Sequence, residues 1–230
     1  MQRQKRIAAI HDISGAGKCS LTVALPIISA AGVECACIPT ALLSTHTGEF
    51  VDYIIKDLTD TMLPIAKHWK SCGIELDGIY SGYLASPGQA DILRKIIELL
   101  SAVETKVIID PVMADHGEFY SNLDRAMADA FRGLCCMADL LTPNVTEAAL
   151  LTGIEYKKPP HDGKYIKTLL DALLGLGAKC VAMTGIYSAD GTVGNAVCKN
   201  GGGPVIETRP MQPGAFYGTD RKSTRLNSSH

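Results

Sequence analysis

Lys106-Val107-Ile108-Ile109-Asp110-Pro111-Val112-Met113 is the stretch whose reading decides the fold. Its three consecutive β-branched residues predict a strand, and their unbroken apolar run suits a central strand buried on both faces of a parallel sheet. The run stops on a carboxylate, and Pro111 stiffens the loop behind it. Ligands of open α/β sheets bind outside the carboxyl ends of the strands, so Asp110 stands where a site is expected.

Outward from this strand in both directions, short β-type runs alternate with helical patterns, the signature of βαβ units around a mostly parallel sheet with helices on both faces. Arg6–Ile10, Glu34–Pro39, Asp77–Ser81, Ala138–Thr142 and Lys179–Thr184 are predicted strands. Lys18–Ala31, Asp57–Ser71, Asn122–Arg132, Asn144–Leu151 and Gly163–Leu176 are predicted helices, and Ser86-Pro87 is a cap and first-turn proline launching another to Ala102. Ala41–Phe50 is too polar for a core element and reads as a flap or loop. Thr192–Cys198 and Pro204–Pro210, separated by Asn200-Gly-Gly-Gly203, read as a closing antiparallel hairpin.

Composition bounds the class. The chain has 230 residues, 47% of them apolar and 20% charged, which suits one α/β domain with a sizeable core. No apolar run is long enough to span a bilayer, so no membrane association and a cytoplasmic location are expected. A net charge of −2 without a basic stripe argues against nucleic-acid binding. The eight cysteines form no CxxC pair and read as buried, reduced thiols. Cys19 stands apart because it is expected to open a helix, where a thiol can be activated, although packing is the favoured role.

Polar residues at the strand ends are the candidates for chemistry. The first strand delivers His11-Asp12-Ile-Ser14-Gly-Ala-Gly17, which reads either as a tight turn or as a loop whose backbone amides approach an anionic or polar small molecule. A phosphate-binding P-loop would need glycine where Asp12 stands and a hydroxyl where Cys19 stands, so that reading fails. Asp110, with Asp115 close behind, could hold Mg²⁺ through water or simply cap a loop. In Thr142-Pro-Asn144-Val-Thr-Glu147, Asn144 and Glu147 either face a common rim or form a helix capping box. Thr184-Gly185 offers a hydroxyl and a glycine to a phosphate. His46 reads as a loop hydrogen-bonder or a ligand contact, Trp69 as helix packing, and Lys157-Lys158 as a solvated pair or a cover for a nucleotide; no role is assigned to His11.

Taken in order, these segments resemble the vitamin-kinase branch of the ribokinase superfamily, the pyridoxal/pyridoxamine kinases and the hydroxymethylpyrimidine (phosphate) kinases. Asp110-Pro-Val-Met with Asp115 looks like the family's DPVMxD, Thr142-Pro-Asn-Val-Thr-Glu147 like its TPNxxE, Ser81-Gly-Tyr-Leu84 like the SGYL of pyridoxal kinases, and Ser44-Thr-His46-Thr47-Gly48 is similar to their NHTG segment. The resemblance implies ATP- and Mg²⁺-dependent phosphorylation of a hydroxymethyl group on a small-molecule pyridine or pyrimidine, in a protein that is a homodimer when complete. It implies that Asp110, Asn144 and Glu147 organise Mg²⁺ and the phosphates, with Asp110 and Glu147 toward the metal. It further implies that Thr184 contacts ATP, that Thr47 and Tyr83 line the substrate ring, and that Asp12 or Ser14 bonds its polar edge. Asp12-Ile-Ser-Gly-Ala-Gly17 leans toward the pyrimidine kinases and Ser81-Gly-Tyr-Leu84 toward the pyridoxal kinases. A kinase-like pyridoxal-binding protein without catalysis is the reading from another class.

The family's anion hole and base lie in a GTGD turn. This chain has Gly218 and Thr219, then Asp220 where the second glycine belongs, one place early for the base. Residues 220–230 have no apolar period and resemble the in-frame translation of a sequencing adapter. The expectation is an incomplete kinase domain over 1–219, a non-native tail over 220–230, and little activity.

Overall fold

Ala8, Ala9 and Ile10 are fully buried, as a strand covered on both faces must be. They lie in β1 (Arg6–Ala16), the middle strand of the first of two compact units, Met1–Asp110 and Pro111–His230. The structure is a computed structural model that describes residues 3–47, 50 and 52–211. In the first unit β1 pairs in parallel with β2 (Glu34–Thr45) on one side and β4 (Gly78–Ser81) on the other, Ile7 standing opposite both Cys35 and Gly78. β5 (Lys106–Ile109) joins β4 in parallel and β3 (Ile55–Asp57) joins β2 antiparallel, giving the order β5-β4-β1-β2-β3.

Helices α1 (Leu21–Ala30), α2 (Thr59–Ser71) and α3 (Pro87–Leu100) bury apolar residues at helical spacing; in α3 these are Leu93, Ile96, Ile97 and Leu100. α1 packs on β1 and β2, while α2 packs on β2 and α3. The core of this unit is built around Ile10, Ile38, Met62, Ile79 and Leu93, all fully buried.

In the second unit β8 (Leu140–Leu141) pairs in parallel with β9 (Cys180–Tyr187), and β10 (Thr192–Lys199) and β11 (Val205–Pro210) follow antiparallel, as the expected hairpin. A two-stranded ribbon, β6 (Ala114–Asp115) with β7 (Glu118–Phe119), stands apart. α4 (Arg125–Arg132), α5 (Val145–Thr152) and α6 (Gly163–Gly175) pack in sequence around fully buried Met127, Phe131 and Leu169, and α5 and α6 also cover β9. Gly153 closes α5 at φ 75, the left-handed position that glycine occupies without strain.

Three expectations change. β1 runs on through Ala16 because β2 extends beside it, with Ser14 opposite Leu43 and Ala16 opposite Thr45. The glycine segment is therefore largely strand, α1 starts at Leu21 instead of Lys18, and Cys19 does not open a helix. Ala41–Thr45 of the expected flap is strand as well, hydrogen-bonded to Ile55–Asp57, so α2 begins after Asp57. All eight cysteines are free thiols, but Cys72 and Cys136 are exposed.

Candidate functional site

Each unit carries its own set of strand-end polar groups. In the first, Ser14 Oγ donates to Asp12 Oδ2 at 3.3 Å and lies 3.3 Å from Cys19 Sγ. All three residues are buried. The turn beyond them is closely covered: at Gly17, φ is +75 and a Cβ would lie 2.0 Å from the His46 ring. His46 is tied down by its N–H to the Ala16 carbonyl at 3.1 Å and meets Phe50 edge-on, so it is a loop-packing residue here. A Cβ on Gly82 would lie 2.1 Å from His11 Nδ1. The glycine of Ser81-Gly-Tyr is therefore the space that the buried His11 ring fills, and packing explains His11.

Asp12 and Ser14 are brought together. Tyr83 is buried, and its carbonyl accepts the Thr40 hydroxyl at 2.9 Å. Thr47 is exposed in the turn after β2, apart from these bonds. Asp110 ends β5 half-buried, its N–H bonded to the Ser81 carbonyl at 2.9 Å.

In the second unit the segment after β8 forms a complete capping box. Asn144 Oδ1 accepts the Glu147 N–H at 2.7 Å, and Glu147 Oε2 accepts the Asn144 N–H at 2.8 Å. The same side chains reach further. Glu147 Oε1 accepts the Met113 N–H at 3.2 Å, Asn144 Nδ2 donates to the Ala114 carbonyl at 2.8 Å, and Thr146 Oγ1 accepts the Gly117 N–H at 3.0 Å. The first turn of α5 thus holds the 113–117 segment, which carries Asp115, at three points. Asn144 also pairs with Thr184 across a parallel bridge, and the Thr184 N–H donates to the Pro143 carbonyl at 2.9 Å. Thr184 Oγ1 is enclosed and has no hydrogen-bond partner among the described residues. Asn144 thus meets both Glu147 and Thr184.

Glu147 is fully buried and both carboxylate oxygens accept backbone N–H groups, so it braces the 113–117 loop. Among the described residues no three His, Cys, Asp or Glu side chains converge on a cation position. Mg²⁺ keeps most of its waters and takes one or two carboxylates plus phosphate oxygens, and Asp110, half-buried just after β5, is a carboxylate of that kind.

A hollow opens beside this segment, lined by Asp115, Asn144, Thr146, Tyr156, His161 and Tyr187 among others. Asp115 Oδ2 lies 3.6 Å from His116 Nε2 on its rim. Burial pushes the Tyr156 phenol up and the His161 imidazole down, so both are held neutral near pH 7. Tyr156, His161 and Tyr187 escaped sequence reasoning, because nothing in a Pro-Pro-His-Asp loop or a strand terminus marks them as neighbours. Lys157 Nζ lies 5.1 Å over the Tyr165 ring, a cation–π contact, rather than over the hollow. Gly218, Thr219 and the 220–230 tail lie outside the described residues.

The sequence matches the phosphomethylpyrimidine kinase family over residues 24–219. Among curated proteins, a pyridoxine/pyridoxal/pyridoxamine kinase of Bordetella bronchiseptica is 30% identical over 225 residues, covering 88% of this chain and 74% of its own. Among solved structures, a Bacteroides thetaiotaomicron protein assigned as a phosphomethylpyrimidine kinase, in a crystal form with pyridoxal, is 35% identical with a TM-score of 0.87. That match covers 92% of this chain and 74% of the other. Pyridoxal kinase from Lactobacillus plantarum is 30% identical with a TM-score of 0.84, over 94% and 76% of the two chains. No helix among the described residues is long and apolar enough to cross a membrane. The mostly parallel α/β sheet, the ordered strand-end groups and these matches agree: the chain belongs to the phosphomethylpyrimidine kinase family, as a pyridoxal kinase-like member of the ribokinase superfamily.

Proposed function

We propose that this chain phosphorylates, from MgATP, the hydroxymethyl group of pyridoxal and its pyridoxine and pyridoxamine relatives. The observation that carries this reading is the 35% identity and TM-score of 0.87 to a structure containing pyridoxal, reinforced by kinases of the three B6 vitamers among the sequence relatives. Asp12 and Ser14, joined at 3.3 Å, take the polar edge of the ring, with Tyr83 and Thr47 along it. Asn144, Thr184 and the first turn of α5 take the nucleotide phosphates, whose charge a helix N-terminus favours. Asp110 would hold Mg²⁺, which would supply charge neutralisation in a transfer whose rate rests mostly on positioning and electrostatics. A cytoplasmic homodimer is the assembly that goes with this reading.

Turnover by the chain as it stands is expected to be low, because Asp220 occupies a glycine position and sits one residue early for a base beside Gly218-Thr219. The match to the phosphomethylpyrimidine kinase family favours a second substrate class, a hydroxymethylpyrimidine. The deciding experiment is equilibrium binding of pyridoxal, pyridoxine, hydroxymethylpyrimidine and MgATP, with a coupled ADP-release assay on each pair. Selective pyridoxal binding with slow ADP release is the expected result. Preference for the pyrimidine would replace the substrate assignment, rapid turnover would overturn the low-activity reading, and binding of neither ring nor nucleotide would overturn the kinase assignment.

A further inference from the structure

His161 stands two residues before α6 and is joined to Tyr187, at the end of β9, by two opposed hydrogen bonds. Its own N–H donates to the Tyr187 carbonyl at 2.8 Å, and its ring Nδ1 accepts the Tyr187 N–H at 3.2 Å. On the other edge Tyr187 pairs with Val193 of β10, so the His161 side chain adds a second tie to the last residue of β9 on the edge away from β10. An acceptor at Nδ1 fixes the neutral tautomer with its proton on Nε2. Burial supports that state by pushing the imidazole pKa down, against a smaller pull upward from the Lys157 backbone.

What the clamp holds is the exit of β9. Thr184 pairs with Asn144, and Gly185 follows at φ +69, a residue that adds no stiffness of its own. Gly185, Tyr187, His161 and Asn144 all line the same hollow. β10 holds one edge of this segment, pairing Gly194 with Ile186 and Val193 with Tyr187, and the tie to His161 braces the other edge, three residues downstream of Thr184 and across a flexible glycine.

We propose that His161 is a positioning residue whose clamp on Tyr187 holds the Thr184–Tyr187 exit of β9 in the shape that receives the nucleotide's phosphate chain. This rests on the assignment of Asn144, Thr184 and the first turn of α5 to the nucleotide phosphates given above. His161 makes no bond to the phosphates itself; it acts through Tyr187 and the backbone between.

The clamp separates two substitutions. In H161N the Oδ1 of asparagine occupies the place of Nδ1 and can still accept the Tyr187 N–H, whereas H161A removes the acceptor. MgATP affinity is measured by calorimetry on wild type, H161N and H161A, with thermal unfolding and hydrogen exchange at the Tyr187 amide in parallel. H161A is expected to weaken MgATP binding about five- to tenfold, the effect of one lost hydrogen bond, and to lose Tyr187 amide protection, and H161N to restore both. Equal MgATP affinity in H161A and wild type, or an H161N no better than H161A, overturns the proposal. A wild-type protein that retains Tyr187 protection yet binds no MgATP overturns the nucleotide reading, and the positioning role with it.

Discussion

Glu147 shows how a functional-looking carboxylate can be committed to structure. Fully buried, it accepts two backbone N–H groups, from Met113 and Asn144, and its charge strengthens both bonds. E147A would leave both donors buried without an acceptor, and is expected to cost roughly 3 kcal/mol in urea unfolding. E147Q should lose less, because one amide oxygen still accepts while its NH₂ faces a donor. Were Glu147 a metal ligand as well, E147A would in addition shift the Mg²⁺ dependence of ATP binding. Thr184 presents the opposite case. Its enclosed hydroxyl has no hydrogen-bond partner among the described residues, so T184V, which keeps the volume, should leave unfolding nearly unchanged while weakening MgATP binding several-fold in the same calorimetric titration.

At the scale of elements, the legible features were those whose partners lie a few residues away. The capping box of α5, the Ser86-Pro87 start of α3 and the Gly153 stop each depend on contacts within one helical turn, and each stands where the sequence placed it. The misread elements owe their conformation to a distant partner. β1 continues to Ala16 only because Leu43 and Thr45 of β2 lie alongside, and the fully exposed β3 and the two-residue ribbon β6–β7 are too short to show a period. The hollow was hidden for the same reason, since His161 and Tyr187 meet only once α6 has packed on β9. The exit of β1 offers a test of this dependence. G17A places a methyl in the His46 ring at a positive φ, so it should lower the midpoint of thermal unfolding and release His46, seen as a shifted imidazole resonance. Alanine at Asp124, whose side chain accepts the Ala126 N–H at 2.9 Å, should cost only about 1 kcal/mol, as an ordinary N-cap does.

For the whole molecule, acid stability should fall in two steps that originate in different units. His161 is held below its ordinary value by burial, so on acidification the unfolded chain binds the proton first. Stability is therefore lost as pH drops below about 6.5, the unperturbed histidine value, until the folded group titrates. Asp77 lies in the other unit, where Lys5 at 2.9 Å, the Arg6 N–H and Arg3 hold its carboxylate down to about 2. Its contribution is complete above about pH 4, the unperturbed aspartate range, and disappears as pH falls through 2. Because Asp77 is held by ion pairs to the exposed Lys5 and Arg3, that lower step should shrink in high salt, while the step from half-buried His161, which desolvation sets, should change less. Urea unfolding between pH 8 and 2 at low and high ionic strength reads both. H161N should erase the upper step alone and D77N the lower step alone; an upper step that survives H161N would mean that another group, and not the imidazole clamped to Tyr187, is the one that titrates.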